Sequence, residues 1–226
     1  MAYPNEPQPS SYAPMPLFPA AIFGSQFCIP YPLELVIMKK VMTVSEGNFS
    51  VSDPNGIILL KVKDSHLTHR RVLVDAADNP IATLRRKRVT MHDRWVVFRG
   101  ESTKANDLIF TLKRSSRNQF KTKLNVYLAG NTKESVCDFQ VNGSWLQRSC
   151  AIYAGESNNI VAQMNKKHIV QSVLIGKDQF GVTLYPNVDY AFIVALFVIL
   201  NEINVDEKEE QEEEKEEEES SEEEDD

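Results

Sequence analysis

Ten consecutive apolar residues near the end of the chain constrain its fold more than any other feature: Ala191, Phe192, Ile193, Val194, Ala195, Leu196, Phe197, Val198, Ile199 and Leu200. The two alanines and the leucines favour a helix over the competing reading, one more buried strand pair. A helix that is apolar on every side has no solvated face and must be buried all round. Ten residues rise about 15 Å as a helix, whereas a bilayer span needs about 20 apolar residues. The run is therefore expected inside protein rather than lipid. Asn187 is the expected N-cap, and Asp189 falls in the first turn, where negative charge is favourable.

Upstream the pattern is short and β-branched. Ile58, Leu60 and Val62 share one side of a run that carries Lys61 and Lys63 on the other. Thr122, Leu124, Val126 and Leu128 alternate with Lys121, Lys123, Asn125 and Tyr127 in the same way. Both are half-buried strands. Asp53-Pro54-Asn55-Gly56 is a turn. Asn142-Gly143 reads as a type I′ hairpin turn. It would pair Val141 with Ser144, Phe139 with Leu146 and Cys137 with Arg148, and would set Cys150 opposite Ser135. About twelve strands result, near 33–42, 47–52, 57–63, 71–75, 81–87, 94–99, 108–114, 121–128, 135–141, 145–153, 159–166 and 179–185, a spacing typical of all-β domains. Residues 88–94 read as a turn or short helix, and 168–175 as a further strand. A closed sheet around the apolar helix follows: a mainly β protein, a barrel of about twelve antiparallel strands on a central C-terminal helix.

Charge divides the chain. Asp206–Asp226 holds 16 acidic residues and 2 lysines, a net of −14, while residues 1–205 hold 23 basic and 16 acidic residues, a net of +7. Residues 1–32 contain 8 of the 11 prolines, which favour extended backbone without donors. Three regions are expected: a mobile arm over 1–32, a barrel domain over 33–205, and a disordered acidic tail over 206–226. The tail would solubilise, contact a basic protein partner, or fold over the basic body. Ser220 and Ser221, followed by acids, resemble a site for an acidophilic kinase.

Chemistry is sparse. No phosphate loop, dinucleotide fingerprint, nucleophile elbow or zinc-protease motif occurs. His66 and His69 have metal-compatible spacing but no third ligand. His92 beside Asp93 reads as a structural turn. Cys28, Cys137 and Cys150 form neither a disulfide framework nor a zinc pair, and Cys137 alternates with core residues. Neither sequon, at Asn48 or Asn142, is expected to be used, because no secretory signal is evident. No catalytic residue, metal or cofactor is expected. The basic groups are more informative. Arg85-Arg86-Lys87-Arg88 is an import-like run or a charged strand end. Lys113, Arg114, Arg117, Lys121 and Lys123 cluster across one hairpin, read either as solvated edge charge that guards against strand pairing or as the candidate site for an anionic headgroup. Lys166-Lys167-His168 is a weaker group of the same kind.

The stretches MTVSEGNFSVSDPNG, VTMHDRWVVFRG, KRSS, CDFQVNGSW, YAGESNNIVAQM and YPNVDYAFIVALFVIL together resemble the LURP-one-related family of plants, over about residues 28–204. The resemblance implies a tubby C-terminal-like fold, a twelve-stranded barrel around its C-terminal helix shared with phospholipid scramblases. It also implies a link to plant defence and kinship with membrane-tethered transcription factors. The expected function is a non-enzymatic binding or regulatory module with weak affinity for phosphoinositide or anionic phospholipid. The alternatives are a scramblase-type lipid transporter and a protein-interaction domain without lipid. An intracellular, cytoplasmic location is expected, with a membrane-surface or nuclear fraction; direct nucleic-acid contact is not.

Overall fold

The computed structural model describes residues 21–39, 49–65, 70–87, 94–118, 121–144, 149–165 and 179–204. Among these residues run twelve strands: β1 (Leu33–Lys39), β2 (Phe49–Ser52), β3 (Ile58–Ser65), β4 (Arg70–Asp75), β5 (Pro80–Lys87), β6 (Arg94–Arg99), β7 (Leu108–Asn118), β8 (Lys121–Leu128), β9 (Phe139–Gly143), β10 (Ala151–Ala154), β11 (Ile160–Asn165) and β12 (Gln179–Leu184). Each pairs antiparallel with its neighbour in sequence. β1 also pairs with β12, from Leu33 opposite Leu184 to Met38 opposite Gln179, so the sheet closes. Twelve strands about 4.8 Å apart and tilted by roughly 40° enclose a cylinder of about 12 Å radius. Once inward side chains are placed, that is room for one helix about 10 Å across.

Alternation decides which residues line the cylinder. In β12, Phe180, Val182 and Leu184 are buried and the residues between them are not. Thr122, Leu124 and Val126 do the same in β8. Ile58 departs from its expected side and is 38% exposed. A register shift between Val51 and Ser52 sets it opposite Ser52, which re-aims it outward.

The cylinder is filled by helix α1, described over 190–204. Every residue from Ala191 to Leu200 is at most 1% exposed. Phe192 packs edge-on against Phe110 at 5.2 Å between ring centroids and tilts onto Phe139 at 4.8 Å, while Phe197 meets Phe180 at 6.0 Å.

The N-cap is Asp189, not the expected Asn187. Asp189 Oδ1 accepts the Phe192 N–H at 3.0 Å. Asn187 instead sits in a turn before the helix with φ 63°, and its N–H donates to Ile29 O at 2.7 Å. The other carboxylate oxygen of Asp189 accepts three N–H groups, from Ile22 at 3.0 Å, Phe23 at 2.7 Å and Gly24 at 3.3 Å. Burial pushes this carboxyl above its ordinary range, and the N–H groups of Phe192, Phe23, Gly24 and Ile22 pull the other way. The mobile arm expected over 1–32 is thereby corrected in its last dozen residues. Residues 21–32 belong to the barrel: Phe23 and Phe27 are in the core, Phe27 packs on Tyr190, and Arg99 Nη1 donates to Phe23 O at 3.1 Å.

The Asn142-Gly143 hairpin turn is also corrected. Both residues lie inside β9, where Asn142 pairs with Ala151, Val141 with Ile152 and Phe139 with Ala154. Beyond β9, Ser149 N donates to Ser144 O at 3.0 Å. Gly143 serves a close approach instead: at φ 141°, an added Cβ would lie 2.3 Å from Ser149 O. The strand expected at 135–141 therefore starts at Phe139, and the one expected at 145–153 starts at Ala151. Residues 88–93 and 168–175 lie outside the described residues, and Arg94 opens β6.

Two outcomes test this arrangement. Ala195→Asp places an unpaired carboxylate against the sheet, at a cost of several kcal/mol, and is expected to yield no soluble folded protein. A soluble variant with an unchanged melting temperature would refute the filled barrel. Asp189→Ala leaves four N–H groups without their acceptor and is expected to lose about 3 kcal/mol in urea unfolding; a loss under about 0.5 kcal/mol would show that residues 21–32, the strap over this end of the barrel, are held by their phenylalanines alone.

Candidate functional site

All four histidines lie outside the described residues, and no cluster of metal-ligating side chains occurs among those described. None of the three cysteines is in a disulfide. Burial pushes the Cys137 thiol up, helped by the Glu156 carboxylate, and the same effect of burial acts on Cys28. A raised thiol pKa disfavours the nucleophilic thiolate at Cys137 and Cys28.

What the meander does build is a polarised pair of rims. Turns β2–β3, β4–β5, β6–β7, β8–β9 and β10–β11 gather where α1 begins. They carry Asp53, Asp75, Asp78, Glu101, Asp107, Asp138 and Glu156 against Arg99, Lys104 and Lys133. Several of these acids are there to make turns. Asp53 accepts the N–H groups of Ile57 at 2.8 Å and Asn55 at 2.9 Å, which holds its carboxyl below the ordinary value. Asp75 does the same for Asn79.

The opposite rim, toward which α1 runs, is basic. Strand ends bring there Lys39 from β1, Arg70 and Arg71 from β4, Arg85, Arg86 and Lys87 from β5, and Arg94 from β6. Arg114, Arg117, Lys121 and Lys123 arrive on β7 and β8. The described carboxylates that reach cations of this end are Asp64, Glu202 and Glu134, the last folded back from the β8–β9 connection onto Arg94. Arg71, on the inward side of β4 with Leu73, pairs with Asp64 and donates from Nη2 to Glu202 Oε2 at 2.7 Å. This inner ion network ties the helix to the mouth of the barrel. Nothing in the sequence singled it out, although Leu60, Val62 and Asp64 share a strand face and so point a charge inward.

Of the five candidate cations, Lys113, Arg114 and Lys123 are divided between the two faces of the sheet. Lys113 lies on the outer face, pairs with Glu134 and stands 5.5 Å from the Tyr127 ring centroid. Lys123, next in sequence to buried Leu124, shares that outer face. Arg114 falls on the inner side with Leu112, beside a register shift between Arg114 and Ser116. Arg117 pairs with Thr122, and Lys121 with Asn118, by backbone at the β7–β8 end. The import-like run also splits by alternation: Arg85 and Lys87 are exposed while Arg86 is half-buried, and Arg88 lies outside the described residues. So does Lys166-Lys167-His168.

Glu134 is the partner the sequence did not reveal. The β8–β9 connection folds back along the sheet, and Glu134, at φ 48°, reaches Arg94, Lys113 and the Thr111 hydroxyl. Burial alone would raise its carboxyl, yet the Lys113 hydrogen bond and the Arg94 and Lys113 charges hold it below the ordinary value. Asn131 supports the fold-back by accepting the Glu134 N–H at 3.2 Å and donating to Asp138 Oδ2 at 2.9 Å.

A family model described as LURP-one-related matches residues 33–201, which is the barrel and most of its helix. The chain belongs to the LURP-one-related family. It is 53% identical over 209 residues to Protein LURP-one-related 15 of Arabidopsis thaliana, covering 92% of this chain and 96% of that one. Protein LURP-one-related 10 of the same plant is 56% identical, over 84% of this chain and 99% of its own. A crystal structure of an Arabidopsis thaliana protein superposes with a TM-score of 0.65 at 45% identity, covering 81% of this chain and 98% of that one. The expected family and the barrel around a C-terminal helix are both borne out.

The Glu134 clasp gives a pH dependence of known sign. A carboxyl held below its unfolded value contributes stability above that value and loses it as pH falls through the folded one. Glu134→Gln is therefore expected to be destabilised relative to the native chain at pH 7 and to approach it near pH 3, by urea unfolding at both. An equal deficit at the two pH values would show that the charge of Glu134 is not what holds the connection.

Proposed function

We propose that this LURP-one-related chain is a non-enzymatic binding module that engages an anionic phospholipid surface, such as one bearing phosphoinositides, through its basic rim. One observation carries the reading: cations separated by more than 80 positions in sequence converge on one end of the barrel, and few carboxylates accompany them. Edge lysines that only discourage strand pairing would be spread over both rims. The resemblance to tubby-like domains supports the same ligand class. No described helix is long and apolar enough to cross a membrane, and Ala191–Leu200 fill the barrel. Both favour surface engagement over a scramblase-type transporter. A cytoplasmic module with a membrane-surface fraction, and regulation in defence as the family's kinship implies, belong to this reading.

The test uses full-length protein whose 16 tail acids are replaced by glutamine, so that tail charge does not compete. It is expected to co-sediment with phosphoinositide-containing vesicles at low salt. Replacing Lys87, Arg117, Lys121 and Lys123 by Gln should weaken binding at least about tenfold, since each cation near an anionic surface is worth about 1 kcal/mol. Lys104→Gln with Lys133→Gln, on the opposite rim, should leave it unchanged. No binding, or equal loss from both rims, would overturn the reading and leave a protein-interaction domain in its place.

A further inference from the structure

The acidic tail leaves the barrel at the basic rim and not at the acidic one. α1 begins among the acidic turns, held by Asp189, and runs the length of the barrel to the end that carries Arg71, Arg85 and Lys87. Asp206 follows two residues after the last described helical residue, Asn204. Direction alone thus delivers a segment of net charge −14 to the cationic end of a body of net charge +7.

We propose that Asp206–Asp226 is the resident occupant of the basic rim and competes there with any external polyanion. The proposal rests on the same rim as the lipid reading. It holds whether or not lipid is the external ligand.

Three further observations support it. First, the rim already binds a carboxylate of the approaching helix, since Arg71 donates to Glu202 Oε2 at 2.7 Å. That glutamate lies four residues before the tail's first acid. Second, of the four buried side-chain donors without an acceptor among the described residues, Arg71 Nε, Arg94 Nε and Asn201 Nδ2 belong to residues at this end, and the fourth is Trp95 Nε1. Buried donors of this kind ordinarily find a partner, and carboxylates are the acceptors the tail supplies. Third, the reach suffices. Residues 205–226 extend at most about 79 Å, against a mouth about 24 Å across. A tethered segment of this length samples the rim at millimolar effective concentration, and its charge is unscreened within about 8 Å. An acidic peptide from another molecule would have to exceed that concentration to displace it.

The full-length native chain can report the contact directly. Zero-length carbodiimide coupling joins carboxylates to lysines in contact, and mass spectrometry locates the links. At low salt the tail is expected to couple to Lys87, Lys121 and Lys123, unaffected by tenfold dilution, with Lys104 and Lys133 of the opposite rim uncoupled. In about 0.5 M salt, where screening is far shorter, the links should fall severalfold. Links spread equally over both rims, or absent at low salt, would overturn the proposal. Vesicle binding separates it from the lipid reading. The native tail should weaken binding at least about tenfold relative to the glutamine-substituted tail. Rim links with no vesicle binding by either chain would sustain the tail contact and defeat the lipid reading. Equal vesicle binding by both chains with no rim links would do the reverse.

Discussion

A helix without a polar face can rest only where apolar side chains meet it on every side, and the rest of the architecture follows from that requirement. A flat sheet would cover one side of Ala191–Leu200 and leave the other to water. A closed sheet covers all of it. At fixed strand spacing and tilt the radius grows with strand number, and twelve strands leave room for a single helix and little else. The edge strands that an open sheet of this length would expose are removed by the β1–β12 pairing.

Closing a cylinder around a helix leaves two ends, and the protein treats them differently. The end where the helix begins is sealed. Asp189 caps α1 with one oxygen and gathers Ile22, Phe23 and Gly24 with the other, and the phenylalanines of that strap extend the core from Phe110 through Phe192. A buried carboxylate is tolerable there because four N–H donors face it at the positive end of a helix. The other end stays polar, with Asp64, Arg71 and Glu202 in the mouth. Sealing demands backbone donors, and so a fixed segment. A polar mouth needs only charged side chains, and these can also meet a ligand.

Much of this was legible in single stretches of sequence. Strands such as 121–128 and 179–184 announce themselves because each must bury alternate residues, a local signal. Asn142-Gly143 misled because its composition fits a turn, while its use is to let the backbone of Ser149 pass close by, which is a property of the neighbouring strand. The arm over 1–32 misled for a related reason. Its prolines speak for an extended chain, but Phe23 and Phe27 find their partners more than 80 positions away, on β7 and α1. Likewise Lys113 reads as an exposed cation until Glu134 is folded back upon it.

The sequence by itself therefore determined the elements and their inward faces: twelve alternating strands, one wholly apolar helix, a basic body and an acidic tail. Periodicity and composition act over a few residues, so they can be read without knowing what lies opposite. Only the tertiary structure decided which charges meet. Lys39, Arg71, Lys87 and Lys123 are scattered along the chain and share a rim because successive hairpins put every second connection at the same end. The tail's point of departure is set the same way, by the direction in which the buried helix crosses the barrel. Those are matters of long-range pairing, and no local pattern encodes them.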